Sequence, residues 1–168
     1  MKQSKGFSLI ELLIVVAVIM IIAAIAIPNL LRARIAANEA SAANSIRKIS
    51  TAEYAYNTAY PTVGYAAQLS HLGGALPCTP TQTSACMLDN ILSSGNKSGY
   101  QFVAFGFPVG GGSTNQAYVA GSAPLSYNVT GVRNFCMIVD GVLRSLDTPG
   151  GAPPSNTVAQ CLAYPTAQ

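Results

Sequence analysis

Hydrophobic and polar positions divide this chain into three regimes. From Leu12 to Ile27 the sixteen residues LLIVVAVIMIIAAIAI contain no charge and no helix breaker. A run of that length and composition has the character of a membrane-crossing helix, for which about 20 residues is the usual span. Reaching back to Phe7 and forward to Leu31 supplies the length and takes in Ser8, Glu11, Pro28 and Asn29. Beyond Pro28, the residues Leu31, Ile35, Ala42, Ile46, Ile49 and Tyr56 recur at spacings of three, four or seven. That pattern marks the apolar stripe of an amphipathic helix. Arg32, Glu39, Arg47 and Glu53 are read as lying off the stripe. One helix is therefore expected from Phe7 to about Thr58, roughly 75–80 Å long at 1.5 Å per residue. Pro28 is expected to kink it, because proline removes a backbone donor and crowds the preceding turn. Tyr60-Pro61 ends it, since the residue before a proline avoids the α region.

The third regime is rich in turns, with most of the 15 glycines and 10 prolines falling after residue 60. A helical turn is expected over 65–72, closed by Gly73 and Gly74, and a second over Met87 to Leu92. Tyr100 to Phe105 alternates bulky residues as a strand does, with weaker candidates at Ala117 to Ala120 and Leu125 to Val129. Phe135 to Val139, then Asp140-Gly141, then Val142 to Arg144 reads as a hairpin with a two-residue turn. Residues 147–160, DTPGGAPPSNTVAQ, read as a surface loop. The expected class is α+β: the amphipathic half-helix needs a cover, and an antiparallel sheet of three or four strands supplies it.

Glu11 is the anomaly of the first regime. A carboxylate at mid-bilayer costs roughly 2.5–3.5 kcal/mol, while each Leu, Ile or Val returns about 0.3–0.6. The segment still inserts, but the charge needs a partner. No Lys or Arg lies between Lys5 and Arg32. A cut after Gly6 would place a new α-amino group, on Phe7, one helical turn from Glu11. Such an amine titrates near about 7.7–8.0, so it is mostly cationic at neutral pH.

The stretch K-G-F-S-L-I-E-L-L-I-V-V-A-V, with Pro28 downstream, resembles the N-terminus of type IV prepilins and of the related pseudopilins of type II secretion. The likeness covers about residues 4 to 35; the rest of the chain is similar to the family only in layout. It implies that residues 1–6 are a leader and that Gly6 precedes the scissile bond of a membrane-embedded prepilin peptidase. Phe7 would be the N-methylated first residue, and Glu11 would pair with the Phe7 amine of a neighbouring subunit. Residues 7–30 would form the transmembrane and assembly helix, loosening near Ala23 to Pro28 in a filament. Residues 31–168 would form the globular domain. The implied partners are a homo-oligomeric helical filament, the peptidase, the inner-membrane assembly machinery and, before assembly, the membrane. The N-terminus would be cytoplasmic and the assembled pilus extracellular. Two plainer readings compete. A secretory signal peptide, with Lys2 and Lys5 as n-region and Ala24-Ile25-Ala26 as cleavage site, sits badly with a carboxylate in its apolar region. A plain anchor leaves Glu11 without a partner.

Composition narrows the function. Charged residues make up only 9% of the chain, and losing Lys2 and Lys5 would take the formal charge from +3 to +1. No basic face stands out, so nucleic acid is not favoured as a partner. Cys78, Cys86, Cys136 and Cys161 all follow the apolar segment and in an exported domain read as disulfides, with three possible pairings. Cys78–Cys86 with Cys136–Cys161 is favoured, because each pair closes a short loop rich in Thr, Ser, Pro or Gly. A zinc site would want tighter ligand spacing and more than the single His71. Asp89, Asp140 and Asp147 lack the alternating carboxylates of a calcium loop. No catalytic constellation and no cofactor is expected. The reading is a structural subunit of a type IV pilus. Its alternatives are a major pseudopilin, or a minor pilin that binds a ligand or DNA.

Overall fold

The computed structural model describes residues 7–167. Residues 1–6, expected from the resemblance to form a leader ending at Gly6, lie outside the described residues. The chain divides into two compact units at Arg34/Ile35. In the first, helix α1 (Leu9–Ala59) starts with the Leu12 N–H donating to the Ser8 carbonyl at 3.2 Å and runs without interruption through Pro28. From Leu9 to Arg34 only Ala23 is even half-buried.

The second unit begins on the same helix and is α+β. Short helices α2 (Asn90–Ser93) and α3 (Val158–Leu162) accompany five strands: β1 (Asn96–Lys97), β2 (Tyr100–Pro108), β3 (Asn115–Pro124), β4 (Arg133–Ile138) and β5 (Arg144–Asp147). The strands form one antiparallel sheet in sequence order, one or two more than expected. Alternation along the strands sends Tyr100, Phe102 and Ala104 of β2, Tyr118 and Ala120 of β3, and Phe135 and Met137 of β4 to one face. There they bury Ala42, Ile46, Ile49, Ala52 and Tyr56 of α1, with Leu69, Leu72 and Leu92 closing the end. Register agrees with this assignment: Ala104, Ala120 and Met137 are cross-strand neighbours, as are Phe102, Ser122 and Phe135.

Several expectations need correction. First, Leu31 is exposed, while Glu39 and Glu53 are buried within the stripe. Second, the turn after β4 holds three residues rather than two. Cys136 lies opposite Arg144, where a two-residue turn would place Ser145. Gly141 N–H donates to the Ile138 carbonyl at 3.0 Å, and Gly141 takes φ 69°, the left-handed position of a type I turn with a bulge. Third, Leu125 to Val129 is a tight turn; Thr130 Oγ1 both accepts from Ser126 N–H and donates to the Ser126 carbonyl. Fourth, the Pro/Gly-rich loop is not a surface feature throughout. Pro154 and Ser155 are buried, and residues from Val158 form α3. This segment covers the other sheet face, where Val119, Cys136 and Ile138 pack with Cys161. Gly121 permits the approach, because a Cβ there would overlap the Ser155 carbonyl oxygen. The expected helical turn at 65–72 is a 3₁₀ turn confined to Leu69–Leu72.

Candidate assembly site

The first part of α1 presents an unbroken apolar surface. Phe7, Leu9, Ile10, Leu12, Leu13 and the Ile, Val and Met residues onward to Ile27 are all exposed. This helix is long and apolar enough to cross a membrane, and none of its most apolar window is buried within the chain. Glu11 stands in the first turn of the helix, exposed. No salt bridge to it occurs among the described residues. Chemically this is an apolar rod with one acid near its N-terminal end. Large exposed apolar surfaces mark a contact with lipid or with other protein.

The second unit is held to its part of α1 by two carboxylates. Glu39 Oε1 accepts from the backbone N–H groups of Val132 at 2.9 Å and Arg133 at 3.1 Å. Its Oε2 accepts from Arg133 Nε at 2.9 Å and Nη2 at 2.8 Å, a two-pronged ion pair. Four hydrogen bonds on one carboxylate thus lock the start of β4 to the helix. Glu53 is different. Its Oε2 accepts from Ala66 N–H at 2.8 Å, while Oε1 is buried without a partner. Burial pushes its carboxyl up to about 8, opposed by the hydrogen bond from Ala66, so the group is mainly neutral at pH 7. Tyr54, Tyr65 and Tyr118 gather beside it as a T-shaped and tilted cluster, with Tyr118 Oη hydrogen-bonded to Ser50 Oγ at 2.7 Å.

These carboxylates were legible in one respect. Glu39, Ile46 and Glu53 are seven residues apart, as are Ala42, Ile49 and Tyr56. The two sets therefore share one helix face.

The cysteines pair as Cys78–Cys86 and Cys136–Cys161. The first bridge closes a loop in which Thr81 and Ser84 exchange backbone hydrogen bonds and Gln82 accepts from Tyr56 Oη at 2.6 Å. The second ties α3 to β4 on the outer sheet face. His71 Nε2 accepts from Gln68 Nε2 at 2.8 Å, near the surface. The three aspartates weighed for calcium are dispersed. Asp89 caps α2 and bridges to Lys97, Asp140 pairs with Arg144, and Asp147 accepts from Tyr127 Oη.

The chain thus joins an exposed apolar helix carrying a lone acid to a small α+β unit. Residues 1–27 match the prokaryotic N-terminal methylation motif, the prepilin-type N-terminus. The chain is also similar to the type IV wide pilus major component PilA4 of Thermus thermophilus, 64% identical over 39 residues. The match covers 23% of this chain and 30% of that relative's length. No solved structure matches the chain.

Proposed function

We propose that this chain is the structural subunit of a type IV pilus. A prepilin peptidase cuts between Gly6 and Phe7 and methylates the new amine. The subunit waits in the inner membrane on a single span with its N-terminus cytoplasmic, then joins an extracellular filament through packing of Phe7 to Ile27 between copies. Glu11 sets register, because a carboxylate brought into an apolar bundle without a cation is strongly penalised. The Phe7 amine of a neighbouring copy meets it. The observation that carries this reading is the exposed rod itself, with its single acid placed within the methylation motif. The similarity to a wide-pilus component favours a pilus over a secretion pseudopilus.

Mass spectrometry of the N-terminus tests processing, with methyl-Phe7 as the expected first residue. Glu11→Ala tests assembly: the variant should accumulate in the membrane at wild-type level while sheared filaments fall at least about tenfold. Wild-type filament yield from Glu11→Ala would remove the role given to that residue.

A further inference from the structure

The second unit contains five cations and five acids among its described residues, and six of these ten cancel in three pairs. Lys97 pairs with Asp89, Arg133 with Glu39 and Arg144 with Asp140. Glu53 is buried, mainly neutral and touches no cation. Three charges are left over. Arg47 bonds through its side chain only to the neutral Asn44 Oδ1, at 3.1 Å. Lys48 lies within the field of Asp89, but that carboxylate already caps α2 and holds Lys97. Asp147 accepts only from the Tyr127 phenol, at 3.1 Å; its cross-strand neighbour Arg133 directs its guanidinium to Glu39.

The surplus charges occupy surfaces of matching character. Arg47 and Lys48 border a groove of about 590 Å³ whose walls include Ala52, Ala55, Met87 and Leu88, with Asp89 also on its lining but already engaged by Leu92 N–H and Lys97. Asp147 ends β5 next to exposed Leu146, and Tyr127 joins it to the turn that carries Leu125 and Val129, 58% and 66% exposed. One patch is a cationic rim on an apolar trough; the other is an acid with apolar shoulders. Each copy carries one of each. Two different complementary patches make a head-to-tail contact, which repeats into a ring or an open helix, whereas a symmetric dimer would need one self-complementary patch.

We propose that the Asp147 corner of one copy docks in the Arg47/Lys48 groove of the next, as a second contact between subunits. This rests on the reading of the chain as a filament subunit and adds to it a contact between globular units.

Carbodiimide coupling tests it on the full-length chain, because that reagent joins a carboxylate to a lysine amine only when they touch. Equal amounts of isotope-labelled and unlabelled chain are mixed, and Lys48–Asp147 cross-linked peptides are sought by mass. Mixed-label peptides are expected. They should disappear in Asp147→Asn, which keeps an acceptor for Tyr127 and so leaves the fold intact. In cells, Asp147→Lys and the double variant Arg47→Glu/Lys48→Glu should each lower filament yield about tenfold. Combining them should restore most of the yield, with melting temperatures unchanged throughout. Wild-type yield from either variant, no recovery on combination, or cross-links confined to single-label peptides would overturn the contact. If the wild-type chain builds no filament at all, the pilus reading fails, while the mixed-label cross-link still decides whether the two patches meet.

Discussion

The substitution Glu53→Gln should stabilise this protein at neutral pH, by an amount that grows as the pH rises. Glu53 is fully buried, with one oxygen bonded to Ala66 N–H and the other unpartnered. Its pKa rises from 4.5 to about 8 on folding, because burial disfavours the charged form. Below about pH 4.5 both folded and unfolded chains hold the proton, and this group leaves stability untouched. Between about 4.5 and 8 the unfolded chain releases it while the folded chain keeps it. Stability therefore falls by about 1.4 kcal/mol per pH unit. At pH 7 the accumulated loss is about 3 kcal/mol, and above pH 8 it levels off near 5 kcal/mol. A glutamine in this place would keep the carbonyl acceptor for Ala66 and the same side-chain length, and would carry no proton to lose. Urea unfolding of the full chain in detergent from pH 4 to 9, wild type beside variant, is the assay. The difference in midpoint should be small at pH 4 and widen steadily to pH 8. Titration of every other group cancels in that difference. Parallel curves, with a constant gap across the range, would refute the burial argument.

Two further outcomes follow from the packing. Glu39→Ala orphans two backbone N–H groups as well as a guanidinium, so it should cost about 3 kcal/mol. Arg133→Ala leaves Glu39 its two backbone donors and should cost only about 1 kcal/mol, because the arginine is half-exposed. Thermal melts would show the order, and an equal or reversed loss would contradict it. Gly121→Ala drives a methyl into the Ser155 carbonyl. A loss of about 1–3 kcal/mol is expected, with faster amide exchange at residues 152–162. Unchanged exchange there would mean that the loop does not rest on β3.

Much of this molecule was visible in the order of its residues, because the patterns concerned are local. The run from Leu12 to Ile27 and the stripe through Ala42, Ile46, Ile49 and Tyr56 need only helical periodicity. Pro61 marks the helix end closely, since its ring acts on its own neighbour and α1 stops at Ala59. The alternation in Tyr100 to Phe105 and the position of Asp140-Gly141 are equally local signals. Short loops also favoured the two cysteine pairings found in the fold.

What only the tertiary structure decided were the places where a polar group found a distant partner. Glu39 and Glu53 fall on the buried stripe by spacing, yet charge argued for solvent. Their burial depends on Arg133 and Ala66, which the fold brings up from other elements. The register beyond β4 turned on one residue of loop length, because a three-residue turn and a two-residue turn share the same Asp-Gly. The Pro/Gly-rich segment offers little periodicity of its own. Its place over β3 follows from Gly121 opening the sheet face and from Asn134 donating to the carbonyls of Ala152 and Pro153. A chain announces its own periodicities, whereas the partner that makes a buried acid tolerable is chosen by the packing of segments far apart in sequence.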